Sequence, residues 1–363
     1  MRSLQTLRFR DTFRFIFRVR ERFAACDAIL HGALDRRFTA AVARVEIGGR
    51  LRFERAYGRT RDDVAARRIS VDTRFDLASL TKLVVAALAI DAVARTALSL
   101  DEPLGNYMRE WRDNERNDIT LRQLLAHTSG MHSGAHYRNL FDSSIEDFAL
   151  RHELQAPAGE RVVYSDLGFI ALGVLLARIE GRSLAESIAR FASRPTLGYR
   201  PRFVDALDIV ATECEAWRGR VQGSVHDEKA HLMGGVAGHA GLFGTAADAA
   251  WIGEEFLGAL SGRPSRMNAA LAREATREQA YDPVLRRGLG WALKTRNDNS
   301  CGASFSNSSF GHTGFVGTCI WVDPERDLTA VLLTNTLYYG RDGSTDLRRA
   351  VFESIANGVD AGR

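Results

Sequence analysis

The chain has 363 residues, 45% apolar and 26% charged, the make-up of a globular protein of about two domains. With 7 Pro against 32 Gly it is neither collagen-like nor proline-rich. The formal net charge of +4 belongs to one end: residues 1–22 hold seven Arg against Asp11 and Glu21, so the rest sits near −1. A neutral body removes the electrostatic case for a nucleic-acid partner.

In chain order, Arg10, Arg14, Arg18 and Arg22 form an i,i+4 ladder beside Phe9, Phe13 and Phe17. That pattern has two readings: a floppy extension, or a basic amphipathic helix making weak contact with a membrane surface. It has no secretory h-region, and no apolar run reaches the roughly 18 residues a span needs, so the expected compartment is the cytoplasm, or the periplasm if the start is misassigned. Residues 23–36 have helical spacing. Segments 39–46 and 51–57 read as strands turning at Gly48-Gly49.

Next comes FDLASLTK, residues 75–82, at a strand-to-helix junction. A helix starting near Ser79 puts Ser79 and Lys82 on one face at i and i+3. A serine hydroxyl needs a proton acceptor to become a nucleophile, and a buried lysine three residues on can supply one. Only three lysines occur in the chain, Lys82, Lys229 and Lys294, against 46 arginines, so Lys82 stands out.

A largely helical middle follows, with helices expected at 80–95, at 120–127 behind a Thr120 cap, at 167–179 and at 184–192. Tyr164-Ser165-Asp166 precedes the third of these; a phenol there can shuttle protons, while Ser165 or Asp166 caps the helix. In 226–231 the spacing H-D-E-x-x-H fits no helical two-histidine metal motif, and GGVAGHAG at 234–241 meets no nucleotide-loop pattern. His226, His231 and His239 therefore read as structural histidines. Cys26, Cys214, Cys301 and Cys319 lack CxxC or metal spacing and read as small buried thiols.

Strands return at 290–295, 318–322 and 329–334, and a helix closes the chain at 345–357. Before the second of these, Phe310-Gly311-His312-Thr313-Gly314-Phe315 reads as a Gly-rich turn whose small residues let backbone approach a ligand. Strands at both ends around a helical middle predict an α+β fold. It would have a mainly antiparallel sheet flanked by terminal helices and a helical insert. The expected division is an extension at 1–22, a discontinuous sheet domain at 23–78 plus 285–363, and an insert at 79–284.

Together and in this order, Ser79-Leu80-Thr81-Lys82, Tyr164-Ser165-Asp166 and His312-Thr313-Gly314 resemble the serine β-lactamase and penicillin-binding-protein family. The likeness is to its class C-like branch, which includes D-peptidases and esterases. Supporting stretches are LRQLLAHTSGM at 121–131, LGWAL at 289–293 and GHTGFVGTCIWVDPERDLTAVLLTN at 311–335. The resemblance implies Ser79 as acylated nucleophile, Lys82 as its proton acceptor and Tyr164 as shared acid/base. The backbone N–H groups of Ser79 and Phe315 would form an oxyanion hole, and no metal or organic cofactor is implied. His312, Thr313, Gly314 and Asp166 would line the substrate site, with VHDEKA at 225–230 a candidate cleft wall.

Two departures matter. Asp166 stands where the family has Asn; either it points away, or it raises the Lys82 pKa and shifts proton transfer to Tyr164. His312 stands where many β-lactamases have Lys, weakening the charge offered to a substrate carboxylate. The expected activity is hydrolysis of a small-molecule ester or amide through a Ser79 acyl-enzyme. The alternatives are a D-alanyl-D-alanine carboxypeptidase or class C-like β-lactamase acting on peptidoglycan-like substrates or β-lactams, and a non-catalytic receptor for such molecules.

Overall fold

The structure is a computed structural model that describes residues 22–134, 144–201, 204–283, 286–296 and 299–363. The arginine ladder up to residue 21 lies outside the described residues. None of the described helices is long and apolar enough to cross a membrane.

Strands β1 (Ala40–Ile47) and β2 (Arg50–Gly58) form the first hairpin, turning at Gly48 and Gly49 with φ of +61° and +68°. That left-handed pair is the conformation a tight two-residue hairpin demands, and glycine adopts it without strain. Short strands β3 (Phe75–Asp76), β4 (Gly198–Tyr199) and β7 (Leu242–Gly244) make a second sheet ordered β3-β7-β4, and β5 (Glu213–Glu215) pairs with β6 (Gly219–Val221). The main sheet is completed by β8 (Ala292–Leu293), β9 (Phe310–Thr313), β10 (Cys319–Asp323) and β11 (Leu328–Thr334). Its order is β2-β1-β11-β10-β9-β8, with every pair antiparallel. The N-terminal hairpin and the C-terminal strands thus share one mainly antiparallel sheet, as expected. Its centre, β11, is buried along its whole length.

Alternation along the strands divides the core in two. Ala41, Ala43, Val45, Trp321 and Leu332 face the terminal helices Ala24–Ala33 and Thr345–Asp360, which bring Cys26, Leu30, Val351, Phe352 and Ile355. Ala40, Val42, Phe310, Ile320, Val322, Val331 and Leu333 face the larger core shared with the helical part. There the Ala246–Ser261 helix lies so close to the sheet that a Cβ on Gly253 would come within 2.9 Å of Val322 and 3.0 Å of Ile320. A Thr245–Asp248 capping box starts this helix.

Three local expectations change. The strand read at 290–295 shrinks to Ala292–Leu293, because Gly290, at φ +79°, turns away and donates its N–H to Leu125 O. The Gly-rich segment before β10 is itself strand β9 up to Thr313. Cys26, Cys301 and Cys319 are buried free thiols, but Cys214 is exposed, on a two-stranded ribbon too small to bury it.

Candidate active site

Ser79 lies half-buried in a single 3-10 turn, Ala78–Leu80, that leads straight into the Thr81–Ala94 helix. The turn is pinned from three sides. Ala78 N–H donates to Asp76 Oδ1 at 2.8 Å, Leu77 N–H donates to Leu242 O at 2.9 Å, and Leu77 O accepts from Thr318 Oγ1 at 3.1 Å. These contacts hold Ala78 at φ +48°, a left-handed conformation an alanine takes only under constraint.

Lys82, one turn on, is fully buried. Its Nζ donates to Ser79 Oγ at 3.1 Å, Asp166 Oδ1 at 2.8 Å and His239 O at 3.1 Å. Three acceptors use all three N–H bonds of an ammonium; a neutral amine has only two to give. Burial is the strongest single influence and lowers the Lys82 pKa, but Asp166 and Tyr164 together outweigh it and the net shift is upward. Of the two outcomes expected for Asp166, then, the residue faces the lysine.

Asp166 does not act alone. Lys229 Nζ lies 3.3 Å from Asp166 Oδ2 and 3.4 Å from Asp227 Oδ2, and Asp227 Oδ1 lies 2.7 Å from His239 Nε2. The result is a partly buried chain, Lys82–Asp166–Lys229–Asp227–His239, in which signs alternate along both lysines and both carboxylates. Burial opposes charge on Asp166, but Lys82, His239 and Lys229 hold its pKa below the usual carboxylate range. The resemblance points to Lys82, Asp166 and Tyr164 and gives Asp227 and Lys229 only as part of a cleft wall; their ion pairs with Asp166 and His239 are not legible in the sequence. The rarity of lysine was the available signal: two of the three meet here.

Tyr164 sits between rings and charges. His127 stacks on it at 4.6 Å between centroids, Lys82 Nζ lies 5.0 Å from its ring centroid and Arg287 Cζ 5.3 Å from it. His127 accepts the Ser165 N–H on Nδ1 at 3.0 Å, which leaves it the Nε2–H tautomer, and burial pushes its pKa well down. Ser165, not Asp166, caps the Asp166–Glu180 helix, accepting from Gly168 N–H at 2.8 Å. Across the site, His312 is buried, and its Nδ1 donates to Thr313 O at 2.8 Å. Burial, then the charges of Arg287 and Lys82, push its pKa down to about 3, so it is neutral at physiological pH.

Gly314 brings the third motif against the serine turn. A Cβ there would fall 2.0 Å from Thr318 Oγ1, 3.0 Å from Leu77 O and 3.2 Å from Ala78 Cβ. Next to it Phe315 is exposed, between the His226 ring at 5.8 Å and Arg341 Cζ at 5.6 Å. A cleft of about 270 Å3 is lined by Ser79, Tyr164, Thr313, Gly314 and Phe315 together with Arg348. Fold and packing therefore gather segments more than 230 residues apart into one opening.

Two clusters have the donor types of a cation site: Asp166, Asp227 and His239, and Glu213, Glu215 and His226. In the first, Lys82 and Lys229 already neutralise the carboxylates. In the second, Arg341 Nη2 lies 2.7 Å from Glu213 and Arg218 Nε 2.5 Å from Glu215. Bound ammonium and guanidinium groups would repel an added cation. His226 and His231 do not converge: His226 meets Glu213, and His231 packs edge-on to Trp217.

A family model described as Beta-lactamase matches residues 19–353. Among curated relatives, an "N-acetylmuramyl-L-alanine amidase" of Bacillus subtilis (strain 168) is 30% identical, with 82% of this chain and 77% of the relative covered. "Esterase EstB" of Burkholderia gladioli is 29% identical over 91% of this chain and 95% of its own. A "Putative D-alanyl-D-alanine carboxypeptidase" of Escherichia coli (strain K12) is 27% identical over 72% and 69%. Among solved structures, "EstCE1, a hydrolase with promiscuous acyltransferase activity" superposes with a TM-score of 0.75 at 20% identity, covering 94% of this chain and 99% of that one. A class C beta lactamase from Rhodobacter sphaeroides gives 0.71 at 18% identity, with 91% and 98% covered. These two support the fold.

Proposed function

We propose, for a chain that belongs to the Beta-lactamase family and is a hydrolase, an esterase-like activity that cleaves a small-molecule ester or amide through an acyl-enzyme on Ser79. The observation that carries it is the half-buried Ser79 Oγ within 3.1 Å of a fully buried Lys82 ammonium, in a cleft shared with Tyr164. Because Lys82 holds its proton against three acceptors, the Ser79 proton is assigned to Tyr164, which lines the same cleft. The lysine then acts by its charge, favouring negative charge as it develops on Oγ.

In the proposed cycle, Ser79 Oγ bonds to the substrate carbonyl carbon as the Tyr164 hydroxyl takes its proton and turns its own O–H toward the leaving-group atom, a relay that keeps the phenol neutral. The Ser79 and Phe315 N–H groups hold the carbonyl oxygen as it becomes an oxyanion. Collapse breaks the bond to the leaving group, which takes the proton from Tyr164. Water then adds to the acyl carbon and the reverse proton path frees Ser79. Asp166, held by two lysines, fixes Lys82 in place.

Relatives named as a putative carboxypeptidase and as an amidase support a second reading, cleavage of a D-alanyl-D-alanine or other peptidoglycan-like amide. Ser79, Lys82 and Tyr164 standing together favour turnover over a receptor that stays acylated. Short-chain aryl esters and a peptide ending in D-Ala-D-Ala, offered in parallel to wild type and Ser79→Ala, separate these readings. Ester turnover lost in Ser79→Ala supports the esterase; peptide cleavage alone favours the carboxypeptidase. Activity undiminished in Ser79→Ala overturns the assignment of the site.

A further inference from the structure

At the end of the sheet remote from Ser79, where β1 turns into β2, a cavity of about 590 Å3 opens beside Arg22. Five arginines wall it: Arg22, Arg50, Arg52, Arg326 and Arg363. Arg326 is spent on Asp323 and Asp360, at 2.8 and 2.7 Å, and Arg363 donates to Glu325 O at 3.0 Å. Asp327, the acid in the wall, is taken by Arg263. No acid among the described residues lies within ion-pair distance of Arg22, Arg50 or Arg52. The preceding segment does not supply the missing charge, because residues 1–21 hold six Arg against Asp11 and Glu21. Phe23, Ile47 and Val359 give the cavity an apolar floor, and Leu51, between two of the arginines on edge strand β2, is 49% exposed.

This cavity and the Ser79 cleft lie at opposite ends of the same elements. The closing helix Thr345–Asp360 places Thr345 in the cleft wall and Gly358 and Val359 in the arginine cavity. Thirteen residues of helix separate Thr345 from Gly358, roughly 20 Å along the axis. The strand register agrees: β1 sets Ala41 against Thr334, next to the cleft, and Ile47 against Leu328, next to the cavity. Unpaired cations gathered at one pole repel one another, and an anionic counterpart relieves that repulsion. An apolar floor and an exposed leucine among arginines match an amphiphile, with phosphate on the guanidinium groups and hydrocarbon beneath. A free polyanion would leave the apolar part unused.

We infer that this pole docks the protein on an anionic membrane surface, with lipid phosphates held by Arg22, Arg50 and Arg52. The arginines of segment 1–21 add positive charge to the same pole, since that segment joins the described chain at Arg22. Docked this way, the Ser79 cleft faces away from the bilayer, open to substrate arriving from water. The contact is peripheral, a matter of charge and a few apolar groups rather than of a spanning helix.

The test sediments the full chain with vesicles of mixed phosphatidylglycerol and phosphatidylcholine, or of phosphatidylcholine alone. Wild type binds the mixed vesicles, comes off as salt rises, and ignores phosphatidylcholine. Each arginine at such a surface is worth about a factor of five, so Arg50→Gln combined with Arg52→Gln lowers partitioning by about tenfold or more. Arg178→Gln, a change at an arginine paired with Glu110 elsewhere, leaves partitioning as it is. Orientation is read with a polarity-sensitive dye on Cys214, the exposed thiol on the ribbon whose Glu213 meets Arg341 at the cleft. The same dye on Leu51→Cys, in a Cys214→Ser chain, reports the opposite pole. On mixed vesicles the dye at 51 shifts to the blue and the dye at 214 does not. Equal sedimentation with both vesicles, sedimentation with neither, or partitioning unchanged by the paired arginine substitutions overturns the docking pole. A larger shift at 214 than at 51 overturns the orientation. Neither readout uses hydrolysis, so failure of the Ser79 reading is a separate result.

Discussion

Asp166 is where this chain departs most from the expectation of an asparagine, and the departure is testable in isolation. The carboxylate is the largest influence opposing burial on Lys82. Asp166→Asn removes that charge, so the lysine's pKa falls and a neutral amine becomes accessible near neutrality. The alkaline limb of the kcat/KM profile on a neutral aryl ester, where the working ammonium is lost, should move down by about one pH unit or more. A profile that superposes on wild type would show that Lys82 is not held protonated by Asp166. His312 gives a prediction on stability. Folding pushes its pKa from 6.5 down to about 3, so the unfolded chain takes up this proton first as pH drops. Stability from this group is therefore whole above about pH 6.5 and erodes as pH falls toward 3. His312→Asn, which cannot protonate, should lose less melting temperature between pH 7 and pH 4.5, by roughly 2 °C or more. Equal losses would contradict a buried neutral histidine.

Gly314 joins element to element, since the loop after β9 reaches the serine turn only because this residue lacks a side chain. Gly314→Ala places a methyl 2.0 Å from Thr318 Oγ1 and against Leu77 O, so loop and turn must part. Displacing an oxyanion donor by an ångström costs about a hundredfold, so kcat/KM on an aryl ester should drop by that order. Unchanged kinetics would remove the loop from the catalytic account. The same segment shows how far sequence carries. Thr120 as a cap and the hairpin glycines are local signals and are realised locally. In the sequence, strand β9 looks like a turn because its glycine and polar residues hide a two-residue period. The Ala246–Ser261 helix leaves little trace in the sequence, since Ala and Gly on several faces blur its 3.6-residue period. In the site, S-x-x-K is local and legible. Arg287, Arg348, His127 and the Asp227–His239 pair come from four distant segments, so only the fold brings them to Tyr164 and Lys82.

At the scale of the molecule, one sheet ties the chain's two ends together, and each of its faces is covered from a different stretch. Phe352 on the closing helix is wholly buried against Phe305, edge-on at 5.9 Å, on the face remote from the site. Phe352→Ala should cost about 3–5 kcal/mol of stability while leaving kcat/KM near wild type well below the melting temperature. A strong kinetic effect with unchanged stability would mean that the two faces are coupled. We read the chain as a sheet part at 23–78 plus 285–363 around the insert 79–284. The Ala246–Ser261 helix packs from the insert onto the sheet, so the cleft depends on both parts. That arrangement lets Ser79 enter from the helical part and the 312–315 loop from the sheet.

The central claim is the covalent step at Ser79. Intact-protein mass spectrometry within seconds of mixing with a short-chain aryl ester, wild type beside Ser79→Ala, tests it most directly. The account predicts one added acyl group on the wild type, mapped to the segment containing Ser79, and none on Ser79→Ala. An adduct of equal yield on Ser79→Ala, or ester turnover undiminished in that variant, would contradict it.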